Sequence, residues 1–188
     1  MKRISVCVLC VLMFSAVFAL PQNPPEAPKV GPEQKNLGYF AGNWKLTGEL
    51  KPGPMGPGGK FTATEHNEWL AGGFYLISHS QGTSSVGHEI TLAIFGYDSQ
   101  KKVYTYDAYN NSGEAEHATG AFDGKVWTWS SSFSVGDKTM QTRFMVTEGS
   151  ATSYAFKFEM SEDGNNWATV MEGKSTKAAG TGAATKKE

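Results

Sequence analysis

"FAGNWKLTGEL", residues 40–50, decides the fold. It places Gly42 two residues before Trp44, at the point where a polar lead-in becomes an alternating segment. The lead-in, "PEQKNLGYFAG" (residues 32–42), suits a short helix, because Pro32 is favoured at a helix start and Gly42 lies just beyond its end. The stretch therefore predicts a short helix followed by the first β-strand.

Ten short alternating segments follow. In "TSYAFKFEM", Tyr154, Phe156 and Phe158 share one face, which is the period-two pattern of a half-buried antiparallel strand. Asp123-Gly124 is a two-residue hairpin signal, since both residues tolerate positive φ. The strands are predicted near 43–51, 60–70, 73–81, 88–97, 102–110, 114–122, 125–134, 138–147, 151–160 and 166–174.

Ten consecutive strands can pack as two sheets or close into a barrel, which removes exposed edges. Short turns between strands in chain order favour closure. The fold class predicted is all-β: an antiparallel, up-and-down barrel of about ten strands with a short N-terminal helix before the first strand.

The N-terminus, "MKRISVCVLCVLMFSAVFALPQ", has the basic, apolar and small-residue regions of a signal peptide. We expect cleavage after Ala19, no transmembrane segment afterwards, and a secreted or periplasmic protein. The domains predicted are a signal peptide (1–19), a proline-rich linker (20–36), the barrel (37–174) and a disordered tail (175–188). Both cysteines, Cys7 and Cys10, lie in the signal peptide, so the mature chain has no disulfide and no thiolate.

The charge balance argues against nucleic acid as a partner. The 17 Lys and Arg residues are matched by 18 Asp and Glu, and no segment concentrates basic residues with aromatics between them. The sequence does not indicate an oligomeric state.

Gly42-Asn43-Trp44 resembles the G-x-W motif that begins the first strand of lipocalin and fatty-acid-binding (calycin) barrels. That resemblance implies that Gly42 turns the backbone from helix to strand and that Trp44 plugs one end of the barrel. Together with "EHNEWLAGGFYLISHS", "IFGYDSQKKVYTYDAY" and "EDGNNWATVMEGKS", the chain resembles the secreted bacterial DUF1579 proteins, which are akin to nitrobindin-type barrels, over roughly residues 33–174. Nitrobindin-like relatives bind haem through a histidine near the C-terminal end, whereas the last histidine here is His117, so no cofactor is predicted.

The aromatic residues provide the site prediction. Ten strands enclose a wider interior than eight, and an unplugged interior lined by aromatics has the profile of a small-molecule site. We therefore predict a partly hydrophobic ligand inside the barrel, although parity within a strand does not show which face points inward. The candidate ligand-binding residues are Trp69, His79, Tyr106, His117, Trp129, Phe144 and Phe156.

No catalytic or metal-ligating residue is predicted. The four histidines lack the paired spacing of a zinc motif, and there is no G-x-S-x-G nucleophile motif. Two alternatives remain open at this point: an enzyme that uses a histidine–carboxylate pair in the cavity, and a structural or partner-binding barrel with a filled interior.

Overall fold

The computed structural model describes residues 28–53 and 56–178. The predicted signal peptide, the first part of the predicted linker (20–27) and most of the predicted tail (179–188) lie outside these residues, so their assignments remain predictions.

The chain forms two short helical segments and ten strands. A helix, α1, is followed directly by a 3-10 helix, and both precede the strands. Their bounds are α1 Pro32–Asn36, the 3-10 helix Leu37–Phe40, β1 Gly42–Leu50, β2 Gly59–Trp69, β3 Leu76–Ser84, β4 Gly87–Asp98, β5 Val103–Asn110, β6 Ala115–Phe122, β7 Val126–Val135, β8 Lys138–Ser150, β9 Ser153–Ser161 and β10 Ala168–Lys177.

The ten strands close into one antiparallel barrel in chain order, with β1 hydrogen-bonded to both β2 and β10. The predicted all-β, up-and-down barrel with a short helix before the first strand is confirmed. Gly42 has a φ of +109°, a left-handed value that favours glycine, where the chain turns from the 3-10 helix into β1.

Two segment boundaries differ from the prediction. α1 lies within the segment predicted as linker, and β10 continues past residue 174 to Lys177. Small polar residues there gave no hydrophobic pattern, but they pair with the first residues of β1 and close the barrel. Ser175 is fully buried and donates a hydrogen bond of 3.3 Å to the Lys45 carbonyl.

The helical end of the barrel is filled by side chains, and we call this end the floor. Leu37 and Phe40 enter it from the 3-10 helix and Trp44 from β1, with Trp44 only 1% exposed. The Trp44 indole Nε1 donates to the Phe40 carbonyl at 2.7 Å, and Asn67 Nδ2 donates to the same oxygen at 2.9 Å. These two bonds fix the 3-10 helix to β1 and β2, which leaves the opposite end as the open end.

The seam between β6 and β7 is short. Residues 119–122 pair with 127–130, whereas the next ladder joins residues 126–135 to 138–147. Towards the open end, a side-chain hydrogen bond replaces the β6–β7 ladder, because the Ser131 hydroxyl donates to Glu116 Oε1 at 3.1 Å.

Two glycines let the wall accept large rings on its inner side. Gly48 and Gly173 are directly opposed on β1 and β10. A Cβ at Gly173 would lie 2.6 Å from Phe156 Cζ and 2.8 Å from the Gly48 Cα, and a Cβ at Gly48 would lie 2.6 Å from a Phe61 ring carbon. Close packing at this point of the wall therefore requires that both positions have no side chain.

We expect Gly173→Ala to lower the free energy of unfolding by about 1–3 kcal/mol, because the added methyl overpacks the wall against backbone atoms that cannot move away. Urea denaturation measures the change. Gly53→Ala is the matched control, since a Cβ at Gly53 meets no atom within 4 Å. Equal stability of the two variants would contradict this packing account.

Candidate functional site

The inner face of the barrel follows from the strand register. Directly opposed residues of an antiparallel pair share a face, and successive residues alternate between faces. Trp44 is buried and opposes Glu65, which opposes Ser80, which opposes Thr91. This row and every second residue from it along each strand point into the barrel.

Aromatic and apolar side chains cover much of the inner wall above the floor. The Trp127 and Trp129 rings stack with centroids 5.4 Å apart, and Phe95 contacts Tyr106 with centroids 4.9 Å apart. Several inward-facing side chains are only partly buried, so solvent reaches the inner wall at these positions. These are Phe61, Ala63, Phe95, Tyr106, Phe144 and Met171.

Four of the predicted ligand-binding residues lie on this inner face: Tyr106, Trp129, Phe144 and Phe156. The other three are placed elsewhere. Trp69 has inward parity but sits at the floor end, 36% exposed, where its ring covers Gly38 of the 3-10 helix.

His79 and His117 do not line the interior, which corrects the prediction for these two residues. His79 opposes His66 and Leu92 on the outer face. The His117 imidazole Nδ1 lies 2.6 Å from Asp107 Oδ1, again on the outer face. The physical reason is the alternation of side chains along a strand. The residues directly before and after each histidine face inward, so the histidine itself faces outward.

Glu65 is the inward-facing residue that the sequence prediction missed. Burial raises the pKa of its carboxyl to about 7, although hydrogen bonds from Asn67 and Tyr154 lower it in part. The segment "FTATEHNEW" contains the signal, since Phe61, Ala63, Glu65 and Asn67 alternate with Thr62, Thr64 and His66. A carboxylate on the apolar face of a strand marks a candidate site.

Two further carboxylates, Glu89 and Glu116, face inward closer to the open end and are solvent-exposed. Thr91 Oγ1 donates to Glu89 Oε1 at 3.0 Å, so this carboxylate is positioned by a hydroxyl, as Glu116 is by Ser131. The Ser131 and Thr142 hydroxyls in turn lie 2.6 Å apart, which extends the network across β7 and β8.

Glu65, Glu89 and Glu116 all act on the Tyr106 hydroxyl. The pKa of Tyr106 is raised well above its ordinary value, first by burial and then by the negative charges of Glu116, Glu65 and Glu89. The interior is therefore a region of negative potential with aromatic walls.

Two buried polar atoms have no hydrogen-bond partner among the described residues: Asn67 Oδ1 and Trp129 Nε1. Asn67 is 4% exposed, and its Nδ2 donates to the Phe40 carbonyl, which fixes the orientation of the amide. The free oxygen is thus a buried acceptor beside the Glu65 carboxyl. The Trp129 nitrogen packs against Gly120, where a Cβ would lie 2.8 Å away.

The outer wall carries two open grooves of about 410 and 440 Å³, both lined in part by Lys45, Thr64 and Gln81. These side chains point away from the barrel interior. Within residues 28–53 and 56–178, no set of three or more His, Cys, Asp or Glu side chains is grouped to hold a metal ion. In the same part of the chain, no helix is long and apolar enough to cross a membrane.

The family model described as "Protein of unknown function (DUF1579)" matches residues 29–177. This chain belongs to that family. The family assignment made from the quoted segments is confirmed, and the matched region includes all ten strands. No curated protein matches the sequence.

Two solved structures are similar to this family member. Rv2717c from M. tuberculosis, a crystal structure, has a TM-score of 0.56 and 12% sequence identity, and the match covers 80% of this chain and 100% of that chain. EF1p2_mFAP2b bound to DFHBI has a TM-score of 0.43 and 12% identity, with 77% and 98% covered. The likeness to Rv2717c supports the barrel fold, which agrees with a calycin-like architecture.

Proposed function

We propose that this DUF1579 protein binds a small, partly apolar molecule inside the barrel. The observation that carries the proposal is the inward position of the Glu65 carboxyl, opposite Trp44 on an inner wall of partly buried aromatic rings, where burial raises its pKa to about 7. Concave, largely apolar sites with a few placed polar groups are the usual form of small-molecule sites. Fold alone does not assign this function, so the proposal depends on the side chains of the interior.

The orientation of the histidines favours binding over the enzyme alternative. His66, His79, His88 and His117 are all exposed on the outer face, so the inner carboxylates have no imidazole partner for proton transfer. The same orientation gives an interior haem no imidazole ligand. The ligand we propose is accordingly a freely exchanging small molecule.

The state of the interior favours binding over a filled, partner-binding barrel. The floor is packed, but the half towards the open end carries exposed Glu89, Glu116 and Phe133, the last 42% exposed. A filled core would bury the inner-wall rings below them, and Phe61, Tyr106 and Phe144 are only partly buried. The proposal also includes export, which is supported by the basic and apolar segments before Ala19.

Native mass spectrometry of protein purified from its own host tests the proposal. We expect a co-purified small molecule on the wild type and its loss in Ala63→Trp, which adds an indole to the inner wall. The control is Ala155→Trp on the exposed outer face, which should retain the molecule. The same spectrum should show a mature chain that lacks residues 1–19.

A ligand-free mass in both variants and in the wild type, with no change in thermal midpoint across lipids, haem and small aromatic compounds, would overturn the binding function. Circular dichroism of Ala63→Trp separates a blocked interior from a misfolded barrel.

A further inference from the structure

We propose that the ligand of the barrel interior is an organic cation, an ammonium group on an apolar body, held among Glu65, Glu89 and Glu116. This inference rests on the proposed function and specifies its ligand class.

The first argument is the contrast between the two faces of the wall. On the outer face, Glu172 pairs with Lys51 at 2.8 Å and Glu159 pairs with Arg143. None of the ion pairs within the described residues involves Glu65, Glu89 or Glu116. Glu172 and Glu159 on the outer face are thus paired with cations of the protein, whereas Glu65, Glu89 and Glu116 are not.

The two lysines with inward parity do not neutralise these inner carboxylates, because both make other contacts at the ends of the barrel. The Lys177 ammonium lies 4.9 Å from the centroid of the Trp44 ring, at the floor. Lys138 pairs with Glu162 at 2.7 Å, at the open end. Neither lysine therefore pairs with Glu65, Glu89 or Glu116.

The second argument is the chemistry of the walls around these carboxylates. Tyr106 and Trp129 both lie against Phe95, with ring centroids 4.9 and 5.7 Å from it. Aromatic faces attract cations, and the attraction strengthens in a site shielded from water. Rings and carboxylates together select a cation with an apolar body over a small hydrated ion.

The third argument is independent of the acidic cluster. Asn67 Oδ1, a buried acceptor beside the Glu65 carboxyl, has no partner among the described residues, whereas Glu65 accepts hydrogen bonds from Asn67 and Tyr154. The unpartnered Asn67 oxygen calls for a ligand that donates, and an ammonium carries such donors. Burial disfavours the ionised form of Glu65, and the positive charge of an ammonium beside it would offset that cost.

The experiment compares three ligands of similar shape and different charge: phenethylamine, which is an ammonium ion at neutral pH, neutral phenethyl alcohol, and anionic hydrocinnamate. Tryptophan fluorescence titrations give the affinities for wild type, Glu65→Gln and Glu116→Gln. Glu68→Gln is the matched control, since Glu68 lies on the same strand as Glu65 but is exposed on the outer face.

We expect the amine to bind wild type about tenfold or more tightly than the alcohol, with the anion weakest. Glu65→Gln should remove most of that preference, Glu116→Gln should reduce it, and Glu68→Gln should leave it unchanged. Equal affinities for amine and alcohol, or preference for the anion, would overturn the cation inference while leaving interior binding intact. Absence of binding by all three compounds, together with a ligand-free native mass, would overturn both.

Discussion

Replacing Phe40 with alanine is expected to lower the free energy of unfolding by about 3–5 kcal/mol, the usual cost of deleting a buried phenyl ring. Phe40 is the central side chain of the floor. Its ring contacts Trp127, Trp129 and Tyr154 at centroid distances of 5.1, 5.7 and 6.0 Å. Alanine leaves a cavity. The neighbouring aromatic rings are rigid and are held on the strands of a closed barrel, so they cannot move in to fill it.

Urea denaturation followed by tryptophan fluorescence measures this loss, and near-ultraviolet circular dichroism reports the packing of the rings. Phe133→Ala removes the same ring from the open end, where the side chain is 42% exposed, and should cost less than about 1 kcal/mol. If the two variants lose the same stability, Phe40 is not the centre of the floor.

Glu65→Gln is expected to change the dependence of stability on pH. The folded-state pKa of about 7 lies above the unfolded value of 4.5, so the native state binds more protons between these values. The contribution of Glu65 to stability is therefore fully present below pH 4.5 and is lost as pH rises through 7. At about 1.4 kcal/mol per pKa unit, the loss reaches up to about 3 kcal/mol.

Glutamine is neutral at every pH and keeps the shape of the protonated side chain. The unfolding free energy of Glu65→Gln relative to wild type should therefore rise between pH 4.5 and 7 and level off above it. Denaturation at a series of pH values measures this difference, with Glu68→Gln as the outer-face control. A difference that stays constant from pH 4 to 8 would show that Glu65 ionises as freely inside the barrel as in the unfolded chain.

The strands were predictable from sequence because their signals are local. Period-two alternation and turns such as Asp123-Gly124 define each strand and hairpin without knowledge of the rest of the chain. Closure of the barrel followed from the strand number and the short turns. The last residues of β10 were not predicted as strand because Ser175 is small and polar. Its burial depends on pairing with β1, which is distant in sequence.

The site was predictable only in part, because parity divides a strand into two faces without saying which one is inside. Tyr106 and His117 lie on the neighbouring strands β5 and β6, and only the register from buried Trp44 shows that the first faces inward and the second outward. Phe40 was missed for another reason. Leu37 and Phe40 are three residues apart, which places them on one face of a 3-10 helix, but two apolar positions are too few to predict a buried face.

The short β6–β7 seam gives the Glu116 side chain a structural part in the barrel wall. Beyond residue 130 the two strands are held by the Ser131–Glu116 side-chain bond and not by backbone pairing. Glu116→Gln keeps a side-chain oxygen that can accept from the Ser131 hydroxyl, so this substitution removes the charge at the seam while preserving the bond that spans it.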